Sequence, residues 1–221
     1  MMQPRSKFDR LVFTERLVEA GLTLVSEAKE FAKNDLTRAR GVRNGLMIAL
    51  LALCPIRPKN FAALEIGQTF KEIHGRWWIT LPGISTKSRR PDERPVPAWL
   101  NRHINVYLNQ SRPVLLGSMP PTNALWISST TGRPMTTKNI GTLISKITFG
   151  TLGVDVSPHL FRTAAASTAA AYGGRTPHLA SALLNHTDPR VTEEHYNRAS
   201  SVSAAAAYAR IISEFRDGET S

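Results

Sequence analysis

Hydrophobic positions recur at helical spacing over most of the chain and change to an alternating pattern in one central stretch. The first forty residues predict one or two helices with a break near Gly21. The run from Thr37 to Pro55 is apolar on nearly every face after Asn44, so it predicts a largely buried helix that stops before the proline. A further helix is predicted around residues 61–64.

The pattern changes to strands between Arg76 and Pro97, where aromatic and β-branched residues precede a Pro-Gly pair and a charged loop. This arrangement predicts a β-hairpin or short meander with Lys87 near its basic turn. Helical spacing returns from Trp99 to Leu116 and again from Met135 to Phe149. The predicted fold class is therefore α+β, mostly helical with a small antiparallel hairpin or sheet.

The last third of the chain predicts helices and turns. A Ser-Pro pair at 157–158 indicates a helix start, because serine caps unpaired amides and proline is favoured at the first helical position. Another start at 188–189 begins a helix that would carry Tyr196. The alanine-rich tail from Ser201 to Phe215 has a narrow apolar stripe, which suits docking either on another surface or on its own domain.

The charge balance indicates an anionic partner. Of 221 residues, 28 are Lys or Arg and 17 are Asp or Glu, a formal net charge of +11. Residues 1–40 hold 8 basic and 6 acidic side chains, or 8 − 6 = +2, so most of the excess lies further along the chain. We therefore expect a polyanion to bind the folded domain rather than a basic tail. With 42% hydrophobic residues the chain can bury a sizeable core, which excludes global disorder.

The single cysteine and the length of the apolar runs indicate the cellular compartment in which the protein is expected. Cys54 has no second cysteine to pair with, and in its apolar surroundings a thiol behaves as a small hydrophobe. The longest apolar stretch, residues 46–54, is about half of the roughly 18 residues that a membrane span needs. The N-terminal residues show no signal-peptide core. We expect a cytoplasmic protein.

Six side chains suited to phosphate chemistry are spread through the predicted elements. His159 and Arg162 lie one turn apart at a helix start, where unpaired amides and the helix dipole favour an anion and a guanidinium fork fits a phosphate. An isolated H-x-x-R pattern is more often a core histidine beside a surface arginine. The other four, each of which also has an ordinary structural explanation when taken alone, are Arg57, Lys87, His186 and Tyr196.

In this order the six residues resemble the motif set of the tyrosine recombinase family, also called phage integrases, over residues 37–215. The segments that carry the resemblance are CPIRPKNFAALE, WWITLPGISTKSRRP, SPHLFRTAAAS and LLNHTDPRVTEEHYNR. The family has an arginine after a buried helix, a lysine in a β-hairpin, H-x-x-R at a helix start, then a histidine or tryptophan and a tyrosine. Two residues before the first arginine the family often has glycine, where this chain has Pro55. The resemblance implies the tyrosine recombinase catalytic fold.

The resemblance implies an enzyme that cuts and rejoins DNA strands through a covalent 3′-phosphotyrosyl intermediate, with no metal or other cofactor. Tyr196 would attack the phosphodiester, while Arg57 and Arg162 bind its non-bridging oxygens. Lys87 would then protonate the leaving 5′-oxygen. In this assignment the two guanidinium groups offset the charge of the transition state.

The histidines and the remaining basic residues receive supporting roles by the same resemblance. His159 would take or relay the tyrosine proton, and His186 would hydrogen-bond the phosphate. A metal site that combines these two with His195 is an alternative, but no carboxylate or cysteine lies at ligand spacing beside them. The residues expected to contact the DNA backbone are Arg89, Arg90, Arg133 and Lys138.

The expected partners are double-stranded DNA and further copies of the chain, which would form a tetramer on DNA through the C-terminal helix in a nucleoid-associated complex. We divide the chain into an N-terminal helical segment or linker remnant (1–36), the catalytic domain (37–200) and a docking helix with its tail (201–221). Family members usually carry a separate helical core-binding domain, and the first forty residues are too few for one. The chain is therefore expected to be either a fragment or a catalytic-domain-only type.

Two alternative functions remain open from the sequence. A truncated integrase remnant would bind DNA without cutting it, because the clamp on the opposite face of the duplex is missing. A type IB topoisomerase would share the cleavage chemistry but act on single duplexes without exchanging partners. Because the chemistry is shared, the sequence alone separates the recombinase from the topoisomerase poorly.

Overall fold

The computed structural model describes residues 12–86, 89–172 and 204–214. Two long helices open this part of the chain, α1 (Thr14–Phe31) and α2 (Asp35–Leu53). Asn34 caps α2, because its side-chain oxygen accepts a hydrogen bond from the Thr37 amide at 2.8 Å. Residues 45–53 of α2 are buried on every face, as the sequence predicts, and they form the centre of the hydrophobic core.

Helix α1 runs through Gly21 without interruption, so the predicted break near this glycine is wrong. The glycine instead allows α1 and α2 to approach closely. A Cβ on Gly21 would lie 2.7 Å from the carbonyl oxygen of Gly45, and a Cβ on Gly45 would overlap the carbonyl oxygen of Gly21. The absence of a side chain is therefore required for packing between helices rather than for ending one.

The predicted strand region forms a three-stranded antiparallel sheet in the order β1 (Phe70–Ile73), β2 (Arg76–Leu81) and β3 (Asp92–Pro95). β1 and β2 are joined by His74 and Gly75, which both have positive φ, as a tight two-residue hairpin turn requires. β1 lies outside the predicted hairpin region, and β3 begins inside the predicted charged loop. The α+β fold class with a small antiparallel sheet is confirmed.

The remaining elements follow the helical spacing of the sequence. Helical structure between Asn101 and Leu116 is interrupted by one π-helical turn just before Pro113, which has no amide to donate to the preceding turn. The other helices are α3 (Pro58–Ala62), α4 (Asn101–Val106), α5 (Arg112–Leu116), α6 (Thr137–Leu152), α7 (Pro158–Tyr172) and α8 (204–214). In the described residues no helix is long and apolar enough to cross a membrane.

Helix α8 packs on the same chain. Tyr208 is fully buried, and its hydroxyl donates to the carbonyl oxygen of Ala52 at 3.1 Å. The indole nitrogen of Trp99 donates to the hydroxyl of Ser213 at 2.9 Å. Ala52 lies in the last turn of α2, where carbonyl groups have no partner within the helix, so the tyrosine hydroxyl satisfies one of them. The apolar stripe of the tail thus covers the end of α2.

Helix α1 also belongs to this core. The amide of Thr14 donates to the hydroxyl of Thr168 in α7 at 3.1 Å, and both threonines are buried. The first helix is therefore joined to the helix that carries His159 and Arg162. The division of the chain at residue 36 stays a prediction.

Candidate active site

The end of α2 leads into a tight bend that positions Arg57. Cys54, Pro55 and Ile56 are buried, and Arg57 occupies the N-cap position of α3 with extended backbone angles. Pro58 follows as the first helical residue, which fixes the direction of α3. Arg57 is half-buried, so its backbone is held by a buried segment while its side chain keeps access to solvent.

Arg162 reaches this bend from α7, in the second turn after the helix begins at Pro158. Its side chain is only 7% exposed, and Nη1 donates to the carbonyl oxygen of Pro55 at 2.6 Å. The two residues of this contact are 107 positions apart in the sequence. The hydrogen bond therefore places Arg162 against the segment that ends in Arg57.

The guanidinium of Arg162 lies in a positively charged environment. Its pKa is lowered to about 10, mainly by burial and also by the charges of Arg94 and Arg57, while the carboxylate of Asp92 acts in the opposite direction. At neutral pH the group is still a cation, and the charges of two other arginines act on it. Such a site favours the binding of an anion that would offset the repulsion between the arginines.

Asp92 and Arg94 were not recognised as site residues from the sequence. They form an ion pair in which Arg94 Nε and Nη2 each donate to one carboxylate oxygen at 2.8 Å. The signal in the sequence is the alternation D-x-R-x-V over residues 92–96, which places the two charges on the same strand face as a core valine. The charges in this stretch led instead to the interpretation as a loop.

The other predicted catalytic residues differ in how far the structure describes them. His159 is exposed in the first turn of α7, one turn before Arg162. Lys87, His186 and Tyr196 lie outside the described residues, as does His195. The structure thus brings together Arg162 and the bend of Arg57, and the convergence of all six residues stays a prediction.

The loop that carries position 87 is held at its base by Thr86. The Thr86 hydroxyl lies 3.0 Å from the carbonyl oxygen of Gly83 and 2.7 Å from that of Arg90. Arg89 is exposed with a φ of 55°, while Arg90 is half-buried. These hydrogen bonds join Thr86 to both sides of the connection between β2 and β3.

The other two predicted DNA contacts lie at the start of α6. Arg133 and Lys138 are both exposed, in the turn before the helix and in its first turn. Arg40 of α2, which sequence analysis did not single out, is exposed too, and its Nε donates to the hydroxyl of Ser129 at 3.2 Å. This contact brings a second cation, in addition to Arg133, to the loop of residues 128–134.

Within the described part of the chain, no three His, Cys, Asp or Glu side chains are grouped as metal ligands would be. Arg43 and Arg112, although they are cations, bind main-chain carbonyl groups of Ile127 and Ala124 and so have structural roles. The arginines beside Pro55 remain the strongest candidate site for an anionic substrate.

The comparisons with known proteins agree with the motif set. No curated protein sequence matches the chain. The sequence model of the phage integrase family matches residues 23–202, which include all of α2, the sheet, the arginine site and the segment that contains Tyr196. The chain therefore belongs to the phage integrase family of site-specific recombinases.

Proposed function

We propose that this protein is a site-specific recombinase that cleaves and rejoins double-stranded DNA through a covalent 3′-phosphotyrosyl intermediate. The observation that carries the proposal is the hydrogen bond from Arg162 Nη1 to the Pro55 carbonyl, which sets a buried guanidinium beside the bend that leads to Arg57. Two arginines on a rigid support suit the two non-bridging oxygens of a phosphodiester.

The arginines would act by electrostatic stabilisation of the transition state. Charge accumulates on the non-bridging oxygens as phosphorus becomes five-coordinate, and a guanidinium already held in place stabilises that charge without rearranging. Arg162 is buried and hydrogen-bonded, so little of its side-chain freedom remains to be lost when DNA binds. A single donor of this kind lowers the activation barrier by about 3 kcal/mol.

The bond changes follow from the family. The phenol oxygen of Tyr196 attacks phosphorus and loses its proton to His159 or through it, while the bond from phosphorus to the 5′-oxygen breaks. Lys87 donates a proton to the 5′-oxygen, and His186 hydrogen-bonds the phosphate. The energy of the broken ester is kept in the phosphotyrosine, so attack by a 5′-hydroxyl reseals the strand without a nucleotide cofactor.

DNA would lie across the face that carries the exposed cations. Arg89 projects from the β2–β3 hairpin, and Arg133 and Lys138 from the start of α6, with Arg90 near the base of the hairpin. We propose backbone contacts for all four, because exposed cations on a protein of net charge +11 release counterions from the duplex when they bind phosphates.

Recombination also requires several protomers on two duplexes. Helix α8 covers the end of α2 with Tyr208 and Ile212, which are buried in the same chain. We propose that a neighbouring protomer supplies the equivalent helix when a tetramer forms on DNA, because the same apolar seat accepts the helix from either chain.

The direct test is the trapping of the covalent intermediate. The protein is incubated in EDTA with a library of duplexes that carry a nick beside a randomised core, so that the cleaved strand diffuses away and religation fails. We expect a protein–DNA adduct that resists denaturing electrophoresis, is absent in Tyr196→Phe and persists in Tyr107→Phe. Tyr107 is the matched control, because its hydroxyl is buried and donates to the carbonyl of Leu125.

Other outcomes separate the alternatives. DNA binding without an adduct at any nicked site would contradict strand cleavage and favour the non-catalytic remnant. An adduct accompanied by relaxation of supercoiled plasmid, but without recombinant products from paired sites, would indicate a topoisomerase of type IB. Recombinant products that depend on Tyr196 would support the recombinase.

A further inference from the structure

A buried ion pair lies behind the arginine site on the core face of β3. Asp92 and Arg94 are two positions apart, so both side chains point to the same face of the strand. Asp92 is 5% exposed and Arg94 is 1% exposed. Arg94 donates a hydrogen bond of 2.8 Å to each oxygen of the carboxylate. The pair is thus a fixed, bidentate unit inside the protein.

The location of this pair is unusual because apolar residues surround it on the sheet. Opposite Asp92 and Arg94 on β2 lie Leu81 and Ile79, and the next inward residue after them is Val96. A buried ion pair gives little net stability, and hydrophobic residues of similar volume often replace one without loss. Stability alone therefore does not explain why two charges occupy this part of the core.

The charges of the pair act on groups of the candidate active site. Arg94 and Asp92 are among the charges that act on Arg162, with opposite effects on its pKa, and Arg57 acts on it too. Burial raises the pKa of Cys54, which the charge of Arg94 lowers and that of Asp92 raises. The pair therefore lies within electrostatic range of both the α2–α3 bend and α7.

Arg94 also has an unused donor. Its Nη1 is buried and has no hydrogen-bond partner among the described residues, although Nε and Nη2 are both engaged by Asp92. An uncompensated buried donor lowers stability, which again indicates that the pair is not explained by stability alone. On the chain, β3 begins shortly after Lys87, so the pair belongs to the strand that follows this lysine.

We propose that the Asp92–Arg94 pair is a positioning device that fixes Arg162 and the β2–β3 hairpin relative to each other around the bound phosphate. Asp92 orients Arg94. The like charge of Arg94 repels Arg162, and this repulsion keeps the guanidinium of Arg162 on the Pro55 carbonyl. The inference rests on the proposed function. Neither residue is accessible to a DNA phosphate, so both act through Arg162 and through the hairpin.

The experiment replaces the pair by apolar residues of similar volume in the full chain, as Asp92→Leu combined with Arg94→Met. We expect this double variant to melt close to the parent, because the charged pair contributes little net stability. Its single-turnover rate of adduct formation should fall about 10- to 100-fold, the size of effect seen when a residue that supports a site residue is lost. Arg94→Lys keeps the charge but not the bidentate guanidinium, so its rate of adduct formation should lie between those of the parent and the double variant.

A matched control is Arg43→Met, which removes another buried arginine, one that holds the carbonyl of Ile127. If loss of any buried cation slowed the reaction, Arg43→Met would also form the adduct more slowly. The proposal instead predicts that folded Arg43→Met forms the adduct at the rate of the parent. DNA affinity is measured for each variant, because the pair should affect the rate far more than the binding of the duplex.

A second readout follows Arg162 directly through the ¹⁵N signals of its guanidinium, assigned with Arg162→Lys. In the parent these signals should exchange slowly with water, and in the double variant they should shift and exchange faster. If the parent forms the adduct, the double variant must show both the slower rate and the changed Arg162 signals. Either change without the other overturns the proposal. A parent that forms no adduct at all contradicts the proposed function, while the Arg162 signals still decide whether the pair positions this arginine.

Discussion

The arginine site depends on one residue that is buried, charged and fixed to the main chain. Arg162 is 7% exposed and donates Nη1 to the Pro55 carbonyl at 2.6 Å. Lysine at this position would keep the charge, but it has no planar fork with which to bind the carbonyl and a phosphate together. The geometry of the guanidinium is therefore as important as its charge.

Arg162→Lys should lower the single-turnover rate of adduct formation by about 10²- to 10³-fold, the usual effect of losing one preorganised donor. The measurement is quenched-flow trapping of the adduct on a nicked duplex at saturating DNA. Arg112→Lys is the control, because Arg112 binds the carbonyl of Ala124 away from the site. An Arg162→Lys protein with the parental rate would exclude Arg162 from phosphate binding in the transition state.

Cys54 gives a prediction about pH. Burial raises the pKa of its thiol from 9.0 to about 12, so at pH 8 the folded protein holds almost no thiolate. Disulfide exchange reagents should label the native protein about 10³-fold more slowly than the unfolded chain, in which about a tenth of the thiol is ionised at this pH. Labelling kinetics with and without urea measure the ratio.

The same pKa shift fixes the sign of a stability change. Above pH 9 the unfolded chain releases the Cys54 proton while the folded protein retains it, so this thiol lowers the free energy of unfolding as pH rises toward 12. The slope for this group is about 1.4 kcal/mol per pH unit. Cys54→Ala should remove this part of the pH dependence, and rapid labelling of the native thiol at pH 8 would contradict its burial.

Among the elements, α2 and α6 were predictable because their apolar periodicity is long, and the β2–β3 hairpin because β-branched and aromatic residues precede a turn signal. The break at Gly21 was predicted wrongly, since a glycine in a helical pattern cannot reveal the helix that packs on it. β1 has only four residues with a burial pattern that lacks alternation, so it gave no strand signal.

Two glycine substitutions test the α1–α2 crossing. Gly45→Ala should lower the free energy of unfolding by about 1 to 3 kcal/mol, because its Cβ would overlap the backbone of α1. Gly141→Ala in α6 has open space around the new Cβ, so it should raise that free energy by about 0.4 to 1 kcal/mol. Urea denaturation followed by circular dichroism measures both, and equal effects of the two variants would exclude a tight crossing.

At the scale of the whole molecule, the sequence motifs indicate candidate site residues but not the contacts between them. The hydrogen bond from Arg162 to Pro55 spans 107 positions, and no local pattern indicates such a distance. The Asp92–Arg94 pair was missed because charges normally indicate an exposed loop, and only the packed sheet turns them inward. The net charge of +11, in contrast, could be read directly from the composition.

The charge of the molecule predicts how DNA binding responds to salt. The logarithm of the affinity should fall linearly with the logarithm of the salt concentration, with a slope of about 0.9 for each phosphate neutralised. Arg133→Gln combined with Lys138→Gln should reduce that slope by about 2. Fluorescence anisotropy of a labelled duplex between low and moderate salt measures it.

The control for the salt experiment is Arg210→Gln on α8. Arg210 is exposed but lies 3.6 Å from the carboxylate of Glu214, so its charge is already partly offset on the protein surface. Its loss should leave the slope unchanged. A slope that falls equally in both variants would assign the effect to net charge rather than to a DNA-binding face.

The tether of Arg162 ends on a main-chain oxygen, an atom that all twenty amino acids provide. Mutation of the codon for residue 55 cannot delete that acceptor, and only a displacement of the backbone can. A substitution at position 55 that leaves the backbone in place should therefore leave the anchor of Arg162 intact.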